Sequence, residues 1–495
     1  MKKLTFLFLL FLTLPLLHAQ KLKIPVDTMV VTQHTTTING QKLAYTAVTG
    51  LQPLWDEDGN PIATLSYTYY KKSGITDYAK RPLMISFNGG PGSASVWMQI
   101  GYTGPVQLNL DPDGYPVQPY GLHENPYSVL DVTDILYVNP VQTGYSRPLN
   151  ESDKEKNNKL FFGVNADIKY LAEWLNTFVT RNERWLSPKY LIGESYGGTR
   201  VSGLALELQD KQWMYLNGVI LVSPADFNSL MSDRPLASTL NFPYFTAAAW
   251  YHKVLPDALQ QKTLEEILPE VEAFTLNELM PALAKGGFIG ETEKNAIAQK
   301  MAYYSGLSQT FILQNNLDVP TPYFWKELLR DKSGYSTGRL DSRYLGLDKS
   351  EAGDSPDYNA EMSAWMHAFT PALNYYMAED LNFKTDVKYY MLVPLKTWDL
   401  RDNHTRDQLR QAMANNPYLN VMFQAGYFDG ATTYFKTKYM MWQLDPAGKM
   451  KDRMSFKTYE CGHMMYVRQE DLKKATNDIR SFIEASKVNT KPAKY

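Results

Sequence analysis

The feature that most constrains this chain is a pentapeptide, Gly193-Glu194-Ser195-Tyr196-Gly197. An apolar run, Tyr190-Leu191-Ile192, precedes it, and a stretch able to form a helix, Thr199 to Leu208, follows it. G-x-S-x-G between a strand and a helix describes a turn so sharp that the serine hydroxyl projects from the end of a sheet. A serine hydroxyl is a weak nucleophile at neutral pH. It needs a base to take its proton and donors to hold the oxyanion formed on attack. Alone, the pattern fits an ordinary turn. Its meaning depends on whether the chain also supplies those partners.

The strand pattern places them. Short apolar runs at Leu83 to Phe87, Ile135 to Val138, Tyr190 to Ile192, Gly218 to Val222, Asn420 to Gln424 and Ser455 to Tyr459 predict buried strands of a mostly parallel sheet. A helix is expected before the elbow, with Asn165 as its cap and Ile168, Leu171, Trp174, Leu175 and Phe178 on one face. The N-terminal region reads as β-hairpins, with turns at Asn39-Gly40 and Asp58-Gly59-Asn60. Between 242 and 403 the period becomes helical, over Pro256 to Leu283, Thr292 to Leu313, Tyr323 to Arg330 and Asn359 to Leu381. The expected organisation is therefore an α/β core at 20–241 and 404–495, interrupted by a helical insertion at 242–403.

Three sites beyond strand ends answer the elbow. Asp429 follows Phe423-Gln424-Ala425-Gly426, and His463 follows the strand ending at Tyr459. Only His463 lies beyond Asp429, so it alone completes the chain order Ser, Asp, His of α/β-hydrolases. The loop Asn88-Gly89-Gly90-Pro91-Gly92 directly follows Phe87. In the α/β-hydrolase fold this loop supplies half the oxyanion hole, here the N–H of Gly90. The N–H after the nucleophile, that of Tyr196, supplies the other half.

Taken together these sites resemble the serine carboxypeptidases. The likeness extends to Gly104-Pro105, Asn125-Pro126-Tyr127-Ser128, Gly144-Tyr145-Ser146, Gly198 and Met464. It implies an α/β-hydrolase fold with a helical cap, no cofactor or metal, and peptide or protein C-termini as substrates. It also implies that Asn88, with Gly89 beside it, and Glu194 hold the substrate's free carboxylate. A glutamate facing a carboxylate must be protonated to donate a hydrogen bond. The chain departs from the pattern in three places. Tyr102 stands where many relatives carry a second glutamate. Ser93 stands where many carry cysteine. The interval from Asp429 to His463 is short, which predicts a trimmed crossover. The residues leave open an esterase or acyltransferase on the same scaffold, and a non-catalytic binding module that keeps the fold.

Lys2-Lys3, the apolar stretch Leu4 to Leu17 and the small residue Ala19 predict a secretory signal peptide over 1–19, hence an exported protein. No other segment is long and apolar enough to span a bilayer. A net charge of -2 gives no basic surface for a phosphate backbone, so nucleic acid is not an expected partner. The single cysteine, Cys461, excludes an intrachain disulfide and reads as a small buried residue.

Overall fold

Asn39 and Gly40 both take positive φ, 48° and 77°. They close a tight turn between Thr28–Ile38 (β1) and Gln41–Trp55 (β2). Antiparallel pairing continues from β2 to Pro61–Lys72 (β3). The computed structural model describes residues 24–225, 235–395, 397–488 and 492; the signal peptide expected at 1–19 lies outside them. After β3 come Leu83–Phe87 (β4), Asp134–Val138 (β5), Lys189–Glu194 (β6), Gly218–Val222 (β7), Asn420–Gly426 (β8) and Met454–Tyr459 (β9). Their order across the sheet is β1-β2-β3-β5-β4-β6-β7-β8-β9. β3 meets β5 antiparallel, and every neighbouring pair beyond β5 is parallel. Every residue of β4 to β7 is buried, which is why their central stretches read as largely apolar runs rather than alternating ones.

Two layers of helix cover the sheet. On one face Val164–Arg181 (α2, after the short Val96–Gly101, α1) buries Ile168, Leu171, Trp174, Leu175 and Phe178, as its period predicts. It packs there with Tyr196–Lys211 (α3), the elbow helix. The cap of α2 differs from expectation. The helix starts after Gly163, and Asn165 lies in its first turn with its amide donated to the Asp402 carbonyl at 3.2 Å. The physical reason is the return of the insertion. The Val164 N–H is already satisfied by the Asp399 carbonyl at 2.9 Å, so this start carries no side-chain cap.

The insertion opens with Leu236–Tyr251 (α4), and residue 242, its expected start, falls inside this helix. Short helices between 257 and 327 gather Phe242, Tyr244, Phe245 and Phe324 into a core of their own, with Phe245 stacked on Phe324 at 4.0 Å. Ala360–Tyr375 (α5) instead packs on the main sheet's second face, through Phe369 against Trp97 of α1 at 4.7 Å. The chain then returns as an extended strap. Tyr390 bridges to Gly144, Leu392 to Ser93 and Asp399 to Gly163. The crossover from β8 to β9 holds one eleven-residue helix, Tyr434–Leu444 (α6), and Gln469–Ser486 (α7) closes the fold.

Candidate active site

Asn88 follows β4, Glu194 ends β6, Asp429 lies three residues after β8 and His463 four after β9. The carboxyl ends of parallel strands thus bring to one place residues that are far apart in sequence. Ser195 has φ 59° and ψ −126°, a backbone conformation that costs a non-glycine residue about 1–3 kcal/mol. The surrounding turn enforces it. The Ser195 N–H reaches the Val222 carbonyl at 2.9 Å, and its own carbonyl accepts from Gly198 at 2.8 Å and Ala225 at 3.0 Å. Gly193 is required there, because a Cβ would run into the carbonyl of Gly197.

Asn88, Gly89, Gly90, Glu194, Ser195 and Tyr196 line a cavity of about 460 Å³, together with His463. Asp429 sits behind them, fully buried. Its Oδ2 lies 2.6 Å from His463 Nδ1, while Oδ1 accepts the N–H groups of Ala431 at 2.8 Å and Thr432 at 3.0 Å. The Thr432 hydroxyl adds a bond of 2.6 Å to Oδ2. With three donors besides the imidazole, the carboxylate is fixed and ready to orient the ring. Burial pulls the His463 imidazole down, but Asp429 beside it outweighs this and holds it above its ordinary value.

The glycine loop is packed against the elbow. A Cβ on Gly89 would strike the backbone nitrogen of Tyr196 and the Cβ of Ser195, so the two candidate oxyanion segments touch. Arg200 of α3 fixes the loop from below. Its guanidinium donates to the carbonyls of Asn88 at 2.7 Å and Pro91 at 3.3 Å, and pairs with buried Asp167 at 2.6 Å.

Glu194 is buried with both oxygens engaged. The Asn88 amide donates to Oε2 and the Tyr466 hydroxyl to Oε1, the latter at 2.8 Å. Burial is the main reason its carboxyl is pushed up to about 7; His463, Tyr466 and Asn88 pull it back down, and Asp429 pushes it further up. Tyr102 does not touch Glu194 through a hydrogen bond. It stacks on Tyr466 with ring centres 4.6 Å apart and gives its hydroxyl to Gln424 at 2.8 Å. Where the resemblance leads one to expect a second acid, a pair of stacked tyrosines stands, of which the second holds Glu194.

Sequence reasoning did not find Tyr466, Thr432 or Arg200. Thr432 lies near Asp429 in the chain but carries no motif, and Tyr466 and Arg200 become visible only once the fold is closed. It also missed the hold that residues 339–342 of the insertion have on the loops that follow β8 and β9. The Leu340 carbonyl accepts the His463 N–H at 2.7 Å, the Arg339 carbonyl accepts that of Gly430 at 3.0 Å, and the Ser342 N–H donates to the Phe428 carbonyl at 2.9 Å.

The profile of one family, described as serine carboxypeptidase, matches residues 58–476. Serine carboxypeptidase-like 37 of Arabidopsis thaliana is 30% identical over 168 residues, covering 33% of this chain. Serine-type carboxypeptidase F of Aspergillus niger is 28% identical over 193 residues, covering 38% of it. Each match spans 32% of the relative's length. Among solved structures, the prohormone-processing carboxypeptidase KEX1 of Saccharomyces cerevisiae superposes with a TM-score of 0.54 at 14% identity, over 90% of this chain and 92% of the other. That likeness speaks for the α/β-hydrolase fold. The family profile runs from β3 through β9, across the insertion and every strand end that carries a candidate site residue, and on that ground the chain belongs to the serine carboxypeptidase family.

Proposed function

We propose that this protein is an exported serine carboxypeptidase that removes single residues from peptide C-termini. In this reading Ser195 attacks the carbonyl of the last peptide bond. His463 takes the hydroxyl proton and passes it to the leaving amine, while Asp429 orients and stabilises the imidazolium. The N–H groups of Gly90 and Tyr196 hold the oxyanion, and water then releases the acyl group from Ser195. The observation that carries the reading is the Asn88–Glu194 pair beside the elbow. A buried carboxyl pushed up to about 7 keeps its proton in mildly acidic solution, so it can donate to a carboxylate instead of repelling it. Asn88 Oδ1 is occupied by the Met98 N–H at 3.2 Å, which turns the amide nitrogen towards Glu194. The N-terminal Lys2-Lys3, Leu4 to Leu17 and Ala19 support export, and among the described residues no helix is long and apolar enough to cross a membrane.

One observation favours a second reading, ester hydrolysis or acyl transfer: Tyr102 leaves the carboxylate site with a single acid. A blocked dipeptide, its C-terminal amide and a simple ester separate the two. The carboxypeptidase reading expects the free acid to be turned over far faster than the amide, and equal turnover would refute carboxylate recognition. Fluorophosphonate labelling that is lost in Ser195→Ala tests the nucleophile; an unlabelled wild type would remove the enzymatic reading altogether.

A further inference from the structure

The cavity has two walls, and they belong to different packing clusters. Tyr196 and Met440 come from the cluster beneath α2 and α3. Trp97, Leu340, Met362 and Met464 come from the cluster that also holds Tyr102 and Tyr466, the tyrosines stacked beside Glu194. In the carboxypeptidase reading Asn88 and Glu194 grip the carboxylate of the departing residue. The side chain of that residue then lies along the second wall, on the side where His463 delivers its proton.

Most of that wall is apolar, but it carries one exposed cation. Arg339 lines the cavity. Its backbone carbonyl is tied to the Gly430 N–H, so the residue is anchored beside Asp429, while its side chain stays at the rim. Among the described residues Arg339 enters no ion pair. Asp341, two residues on, is spoken for by buried Arg343 at 2.6 Å, and Glu361 lies buried below with Oε1 on the Leu340 N–H at 2.9 Å. The other cation of the cavity, Lys436, lies just beyond the Asp429 loop, on α6. The guanidinium is also near enough to oppose protonation of His463 and to favour the charged form of Glu361.

Building on the carboxypeptidase reading, we infer that Arg339 selects the leaving amino acid, its guanidinium reading a carboxylate side chain, so that C-terminal glutamate is released in preference to glutamine and to lysine. The chemistry is a charge-assisted, two-pronged match of guanidinium to carboxylate. It takes place in a cavity that is partly shielded from water, where opposite charges attract more than on an open surface and like charges are rejected. The methylenes of glutamate lie against Met362 and Met464, which leaves its charged end to reach the rim.

Three N-blocked peptides, identical except for a last residue of Glu, Gln or Lys, test this with wild type and with Arg339→Gln, Arg339→Lys and Arg339→Glu. Fluorophosphonate labelling counts the active enzyme in each preparation. Wild type is expected to show kcat/KM for Glu about tenfold above Gln, and further above Lys. Arg339→Lys should keep that order, Arg339→Gln should bring Glu and Gln to within about twofold, and Arg339→Glu should place Lys first. Equal Glu-to-Gln ratios in wild type and Arg339→Gln would overturn the inference while leaving the carboxypeptidase reading intact. A loss in Arg339→Gln that is the same on all three peptides would assign the guanidinium to the α-carboxylate and overturn the side-chain role. Failure of wild type to release any C-terminal residue would overturn both.

Discussion

Replacing Tyr466 by phenylalanine isolates what the second tyrosine does for Glu194. The ring keeps its stack on Tyr102, and only the hydroxyl that donates to Oε1 at 2.8 Å is lost. Burial holds the Tyr466 phenol well above its ordinary value, so it is a neutral donor throughout the working range. A hydrogen bond to an ionised carboxylate contributes about 1.5–3 kcal/mol and one to a neutral acid about 0.5–1.5 kcal/mol. The difference, about 1–1.5 kcal/mol in favour of the charged form, corresponds to about one pKa unit. Removing the hydroxyl therefore raises the Glu194 carboxyl from about 7 by about one further unit. The other groups that act on Glu194, namely His463, Asn88, Asp429 and Tyr102, remain in place.

The assay is kcat/KM against pH for a blocked peptide acid, with the matching ester, which lacks the α-carboxylate, run in parallel. In the proposed carboxypeptidase reading, binding of the acid needs Glu194 protonated, so wild type should lose activity on the acid as pH rises through about 7. In Tyr466→Phe that alkaline limb should move up by about one pH unit, while the acid limb, set by His463, stays in place. The ester should show no such alkaline limb in either protein. Coincident alkaline limbs in the two proteins would refute the reasoning about Tyr466. An identical alkaline limb on the ester would refute the role of Glu194 itself.

Three further outcomes are expected from the same geometry. Glu194 binds its proton more tightly folded than unfolded, so its contribution to stability is present below about pH 4.5 and is lost as pH rises through about 7, in total about 3 kcal/mol; Glu194→Gln should flatten that part of the urea-unfolding profile between pH 5 and 8, and an unchanged profile would contradict it. Asp429→Asn keeps the shape of the site but removes the charge 2.6 Å from His463 Nδ1, so kcat should fall by about 10⁴, and a fall below about tenfold would count against the triad. Cys461 is fully buried with its thiol pushed up to about 12 by burial, so a disulfide reagent should leave the native protein unmodified at pH 8 and react only after unfolding.

The parts of the fold legible in the sequence are those where local pattern and burial coincide. Leu83–Phe87 and Gly218–Val222 are buried along their whole length and largely apolar because both sheet faces are covered, and their ends agree with the structure residue for residue. Asn39-Gly40 marks its turn because few other pairs tolerate two positive φ angles. Asn165 misled because a side-chain cap is only one way to satisfy a helix start; the strap at Asp399 does it from more than 200 residues away. The long period over Pro256 to Leu283 also concealed breaks. Helices at Asp257–Gln260 and Leu264–Phe274 are followed by a wider turn at Thr275–Leu279, where side chains shift position on the helix surface.

The same division runs through the site. That Ser195, Asp429 and His463 come together was legible because each follows a strand and their chain order is restricted. Asn125 was legible as part of a motif, and its amide is seen to hold the carbonyls of Tyr102 and Gly104 at 2.9 Å, which fixes the turn that carries Tyr102. Nothing local could show what replaces the acid absent at Tyr102. Its hydroxyl turns away to Gln424, its ring meets Tyr466, and Tyr466, three residues beyond His463, reaches Glu194. A second carboxyl would share a proton with Glu194 and favour its neutral form, whereas a phenol donates and favours the charged form. The substitution therefore acts on the protonation of Glu194 more than on its position. Burial opposes it, and the balance leaves that carboxyl near 7 rather than higher, which is why the alkaline limb is the measurement on which the whole site turns.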